Sequence, residues 1–216
     1  TYNVEFSKEG YFTDTIEITL FNGQTITKNI SLLPKESFEK NGKIIDNLGN
    51  GIPNCQLLIT NNFFRDTLVT NEYGEFTIDT IYQSDYEFYF GKWGYVTSCE
   101  ILTILNNSDE LQLSLNDGYY DDFTFKYDWE ITSNASSGIW EIDNPNPTIE
   151  NNQIFNPSDD IETDCYTNAL VTGNAIGGGS TADDVDDGYT IIKSPIFDLT
   201  NYSNPYIKYY EWFANG

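Results

Sequence analysis

Several residue types and patterns are scarce or missing from this 216-residue chain, and each absence rules something out. There is no His, so no His-ligated zinc centre, Ser-His-Asp triad or Cys-His pair can be built from it. There is no Met either, which suggests a processed or excised piece of a longer protein. Only 10 Lys and Arg stand against 34 Asp and Glu, a formal net charge of −24. Such a balance disfavours nucleic acid and anionic membrane surfaces as partners and suits solubility in an extracellular or salty medium. No apolar run approaches the roughly 18 residues that argue for a membrane span, and no secretory leader is visible. Cysteine is limited to positions 55, 99 and 165, an odd number that leaves at least one thiol outside any internal disulfide. Cys55 and Cys99 both open strand-like segments, so a cross-sandwich pairing and small buried thiols are both open. Helical periodicity is lacking too, apart from an ambiguous stretch over 201–206, and residues 204–212 read as another strand.

What is abundant is aromatic: 16% of residues, with 16 Tyr. Short runs with period-two apolar alternation fill the first half, among them Tyr2, Val4, Phe6; Ile16, Ile18, Leu20; Tyr86, Phe88, Phe90; and Leu111, Leu113, Leu115. This is the pattern of half-buried strands, where a ring packs inward and a polar neighbour faces water. One stretch repeats. Tyr2 to Thr13 aligns with Tyr86 to Thr97 at a constant offset of 84 positions, with six identities, and Ile30-Ser-Leu32 matches Leu113-Ser-Leu115 after a one-residue gap. A repeat of this length predicts tandem β domains, of which the first has only its C-terminal part here, and its Gly10-Tyr11 and Gly94-Tyr95 pairs predict structural corners.

The most complete segment holds Gly42-Lys-Ile-Ile-Asp46, Gly51-Ile-Pro53, Thr70-Asn-Glu-Tyr-Gly74-Glu-Phe76 and Tyr86 to Tyr95 in order. That series resembles the carboxypeptidase regulatory-like domain, an immunoglobulin- or transthyretin-like β-sandwich. Beyond Asn116, landmarks change to Asp122-Phe123, Trp129, Gly138-Ile-Trp140-Glu141, Pro157-Ser-Asp159-Asp160, Ala169 to Asn174, Asp183 to Gly188 and Ser194-Pro-Ile-Phe-Asp-Leu199. These resemble the jelly-roll accessory domain (MAM-like) of secreted Bacteroidetes metallopeptidases. The expected fold is all-β: 1–35 as the end of a first regulatory-like sandwich, 36–117 as a complete one, and 118–216 as a partial jelly roll.

The resemblance implies an accessory region, not an enzyme, in a secreted or cell-surface multidomain protein. It would space, stabilise or bind a target, with other domains of the same polypeptide and a protein or glycan as partners. An adhesin or filament component without an enzyme, and a carbohydrate-binding module using Trp129, Trp140 and Trp212, are the alternatives. Two candidate sites stand out. The loop Asp183, Asp184, Asp186 and Asp187, with Asp159, Asp160 or Glu141, offers the oxygen-rich surroundings that Ca2+ takes. Unlike an EF-hand, it has Ser194 where that motif's final Glu would stand. Asp-Thr-aliphatic triplets at Thr15, Thr67 and Thr80 resemble the O-glycosylation signal of secreted Bacteroidetes proteins; ordinary strand alternation gives the same pattern.

Overall fold

In a computed structural model the described residues are 1–177, 179, 181 and 184–213. They are all-β, with no helix among them. The chain divides into two compact units, Thr1–Phe90 with Cys99–Ser114, and Gly91–Ser98 with Leu115–Gly216.

The first unit opens with β1 (Tyr2–Phe6) and β2 (Asp14–Ile18), an antiparallel pair in which Tyr2 faces Ile18 and Phe6 faces Asp14. Then follow β3 (Ser37–Ile45), β4 (Gln56–Thr60), β5 (Arg65–Val69), β6 (Glu75–Tyr82), β7 (Ser84–Gly91), β8 (Ser98–Ile104) and β9 (Leu111–Ser114). They form two sheets, β6-β3-β9 and β5-β4-β7-β8, with β9 parallel to β3. Ile44, Ile78 and Leu113 from one sheet and Leu57, Ile59, Phe88, Phe90 and Ile104 from the other are almost fully buried. Period-two alternation thus places the core, as aligned sheets require. In β6 the alternation breaks, because Asp79 and Thr80 are both exposed between buried Ile78 and Ile81. The register explains the break: Phe38 pairs Ile81 but Lys40 pairs Ile78, so two residues of β6 stand opposite one of β3. This β-bulge returns Ile81 to the core face.

The second unit carries β10 (Glu130–Ser133), β11 (Glu141–Asp143), β12 (Thr148–Glu150), β13 (Gln153–Asn156), β14 (Ala169–Val171) and β15 (Thr190–Lys193). Their antiparallel pairing is nested: β10 with β15, β11 with β14, β12 with β13. Each pair stands as its own two-stranded sheet. The strand expected over 204–212 does not form among the described residues, and Tyr206, Ile207, Tyr209 and Trp212 are exposed. Suitable alternation makes a strand only where backbone groups meet a neighbouring strand, and none pairs with this segment. The ambiguous stretch at 201–206 is not helical.

Cys99 and Cys165 are disulfide-bonded. Cys55, fully buried, lies outside any disulfide, so the considered Cys55–Cys99 pairing is not formed. Cys55 faces the core whereas Cys99 is exposed on β8.

Candidate functional site

The repeated stretch builds the same backbone corner twice. In the first copy Tyr11 N–H donates to Lys8 C=O (3.1 Å), Phe12 N–H to Leu33 C=O (2.9 Å) and Lys35 N–H to Gly10 C=O (2.7 Å). In the second, Tyr95 N–H donates to Lys92 C=O (3.0 Å), Val96 N–H to Asn116 C=O (2.9 Å) and Gly118 N–H to Gly94 C=O (3.1 Å). The bridges Tyr11–Pro34 and Tyr95–Asp117 complete the parallel. Both corners turn at a glycine of positive φ, 74° at Gly10 and 95° at Gly94, where a Cβ is unfavourable. The first corner is thereby tied to residues 33–35 and the second to residues 116–118.

What surrounds the corners differs. A Cβ on Gly10 would stand 3.0 Å from the Tyr82 ring, at a cleft of about 100 Å3 flanked by Lys8, Tyr11, Lys35, Tyr82 and Tyr86. Small-molecule pockets run from about 300 to 1,000 Å3, so this cleft is too small for one. In the second corner Trp93 occupies the position of Glu9. Its ring lies 4.8 Å from Phe197, 5.3 Å from Tyr119, 5.7 Å from Tyr127 and 6.4 Å from Trp129, and its Nε1–H donates to Ile196 C=O (2.8 Å). Edge and tilted contacts of this kind hold aromatic cores together. Both Gly-Tyr corners are legible in the repeat, whereas Trp93 was not singled out. Its replacement of Glu9 in the repeat was the available signal.

Beside that aromatic cluster sits a group of carboxyls. Asp121 accepts from Trp129 Nε1–H (2.8 Å) and Phe123 N–H (2.9 Å), yet burial pushes its pKa up to about 6. Asp122 is 1% exposed; Oδ1 accepts from Thr124 N–H (3.1 Å), the Thr124 side chain also hydrogen-bonds the carboxyl, and burial pushes its pKa up. Asp160 hydrogen-bonds the Asp164 side chain, and burial, followed by the Asp164 charge, raises its pKa to about 6. The Tyr120 hydroxyl donates to Asp164 Oδ1. Burial and the Asp164 carboxylate raise the Tyr120 phenol to about 12.

The residues of the expected calcium loop are arranged differently. Asp184, Asp186 and Asp187 are exposed, and Asp183 lies outside the described residues. The loop is held through its backbone: Ser137 Oγ–H donates to Asp184 C=O (2.7 Å) and Ser136 N–H to Asp186 C=O (2.9 Å). Glu141 is in β11 opposite Val171, and Asp159 is exposed, accepting from Ser158 (2.6 Å). Asp160 interacts with Asp122 and Asp164. Among the described residues no three acidic or Cys side chains are gathered in a group ready to hold a metal ion. Thr15, Thr67 and Thr80 are all exposed, on β2, on β5 and at the β6 bulge. Of the three Trp considered for sugar stacking, Trp129 and Trp140 are half-buried and Trp212 is 57% exposed.

No protein-family model and no curated protein matches the chain. Twelve chains of solved structures match. One is a streptococcal ancillary pilin, 14% identical with a TM-score of 0.37, the match covering 52% of this chain and 39% of the pilin. This chain therefore spans well under half of that protein's length.

Proposed function

We propose that this chain is a non-catalytic, modular part of a secreted or cell-surface protein, serving as a spacer and support for other domains of the same polypeptide. The observation that carries this reading is the corner made twice with the same three backbone hydrogen bonds. A repeat that conserves its fastening to the following chain suits a linear array of domains, whereas a catalytic site would need conserved reactive groups. The disulfide state of Cys99 and Cys165 supports an oxidising compartment, and the charge of −24 supports a solvated exterior location. The parent protein on this reading is a secreted zinc peptidase carrying carboxypeptidase regulatory-like repeats. An adhesin or filament array without an enzyme is the rival.

The deciding experiment is fractionation of the native cells with mass spectrometry of the recovered protein under non-reducing conditions. The reading expects surface or medium material with Cys99 and Cys165 oxidised. Cytoplasmic material with three reduced thiols would overturn it. The same spectra report on glycosylation of the exposed Thr15, Thr67 and Thr80, which the proposal expects to carry hexose mass. The reading of the parent protein is checked by the flanking gene sequence, where a zinc peptidase domain favours the peptidase and further β repeats the array. A glycan array with a Trp212→Ala control tests sugar binding.

A further inference from the structure

We propose that Lys40 and Asn107 join through an internal side-chain amide bond in the first unit, with Asp109 carrying the proton that the exchange requires. The inference goes beyond the spacer reading and does not rest on it.

Lys40 occupies a core position. In β3 the buried residues alternate as Lys40, Gly42 and Ile44, and the cross-strand partner of Lys40 is the fully buried Ile78. The pleat therefore points this lysine to the face that apolar side chains fill. It is 4% exposed, a degree of burial that Lys almost never reaches without a paired charge. Among the described residues no carboxylate stands within salt-bridge distance of its Nζ. Both of its hydrogen bonds go to one neutral residue instead: Nζ donates to Asn107 Oδ1 (2.6 Å) and to Asn107 C=O (3.4 Å). A cation buried against an amide alone is unfavourable, and conversion to a neutral amide removes the charge.

The second observation is how the carboxamide is held. Asn107 lies four residues before β9, whose Leu111 pairs with Gly42 of β3 in parallel register. Strand pairing thus brings the two side chains together. Asn107 Nδ2–H donates to Asp109 Oδ2 (2.8 Å), so the amide is gripped at its oxygen by the amine and at its nitrogen by a carboxylate. That grip sets Cγ beside Nζ, and a fixed geometry of nucleophile and electrophile replaces the entropy of encounter.

The exchange balances without an outside reagent. The proton in the Lys40–Asn107 hydrogen bond passes to Oδ1, and the freed amine attacks Cγ to form the new C–N bond. Asp109 takes a proton from the attacking nitrogen and delivers one to Nδ2. The Cγ–Nδ2 bond breaks, the carbonyl re-forms as its proton moves to the departing nitrogen, and ammonium leaves into solvent, to which Asn107 and Asp109 are exposed. Lysine ammonium and carboxamide have become a secondary amide and ammonium, with nothing oxidised or reduced. The product ties β3 to the chain entering β9, the two strands of their sheet furthest apart in sequence.

Mass spectrometry of the full chain, reduced, tests this: the protein should weigh one ammonia less than its sequence, about 17 Da. Trypsin does not cleave after an acylated lysine, so the reduced digest should contain fragment 36–43 joined to fragment 93–126. Lys40→Arg and Asn107→Ala should each restore the full mass, and Asp109→Ala should leave most of the chain unjoined. Near-ultraviolet circular dichroism checks folding. Should Lys40→Arg fail to fold, the joined fragment in the unaltered chain decides. Full sequence mass with cleavage after Lys40 would overturn the proposal and leave a lysine satisfied by hydrogen bonds alone. Ammonia loss that persists in Lys40→Arg, or that comes without the joined fragment, would also overturn it, since a cyclic imide at Asn107 gives the same mass. Complete joining in Asp109→Ala would refute the role of that carboxylate.

Discussion

Gly74 and Gly49 offer a matched pair in which one geometric difference sets the size of the effect. Both have positive φ, 79° and 84°, so an Ala at either position meets the same left-handed penalty. That penalty is about 1–2 kcal/mol, partly offset by about 0.4–1 kcal/mol from the stiffer unfolded chain. Around Gly49 no atom lies within 4 Å of an added Cβ. At Gly74 the Cβ would stand 2.5 Å from Ile44 O, 2.6 Å from Gly51 Cα and 2.6 Å from Ile52 N. All three are backbone atoms, and none can rotate away. Relief requires moving the turn off β3, which breaks the bonds Ile44 N–H to Gly74 C=O (2.8 Å) and Ile52 N–H to Ile44 C=O (2.9 Å). Two such bonds at about 1 kcal/mol each, with about 1–3 kcal/mol of overpacking, add about 3–5 kcal/mol. Gly49→Ala should therefore cost about 1 kcal/mol and Gly74→Ala about 4–6 kcal/mol. In equilibrium urea unfolding, with a slope of about 2 kcal/mol per molar, the two midpoints should separate by about 1.5–2.5 M. Coincident midpoints would show that the close approach is absorbed without cost, and the reasoning would fail.

Trp93→Ala should destabilise the second unit by about 3 kcal/mol through loss of its four ring contacts, while Glu9→Ala at the equivalent exposed position should change stability by less than about 0.5 kcal/mol; thermal melts followed in the near ultraviolet measure both. Thiol titration should find a single reactive Cys in denatured, unreduced protein and three after reduction, because only Cys55 is outside a disulfide. Asp46 accepts from the Asn50 side chain (3.0 Å), Asn50 N–H (2.8 Å) and Leu48 N–H (2.8 Å), which hold its pKa below the ordinary value. A depressed pKa contributes stability above the unfolded-state pKa and loses it as pH falls through the folded one. Between about pH 5 and pH 2 wild type should thus lose more stability than Asp46→Ala, read as urea midpoints at each pH.

The local features of this chain were legible in its residues. Period-two alternation marked β1, β2, β7 and β9, and the offset of 84 positions located both corners down to their glycines, because turns and strand faces depend on near neighbours in sequence. The lack of His likewise fixed which reactive constellations cannot be assembled. Decisions that join distant segments came only with tertiary structure. Asp160 was placed in sequence beside the Asp183–Asp187 loop and Asp122 only beside Phe123, until folding brought both to Asp164. The Asp184–Asp187 run, dense in sequence, is exposed and held through its backbone carbonyls by Ser136 and Ser137. The choice of Cys99 and Cys165 over Cys55, the bulge that turns Ile81 inward, and the missing strand at 204–212 have the same origin. Each depends on which partner arrives across the fold, and long-range pairing leaves no periodic trace in either segment alone.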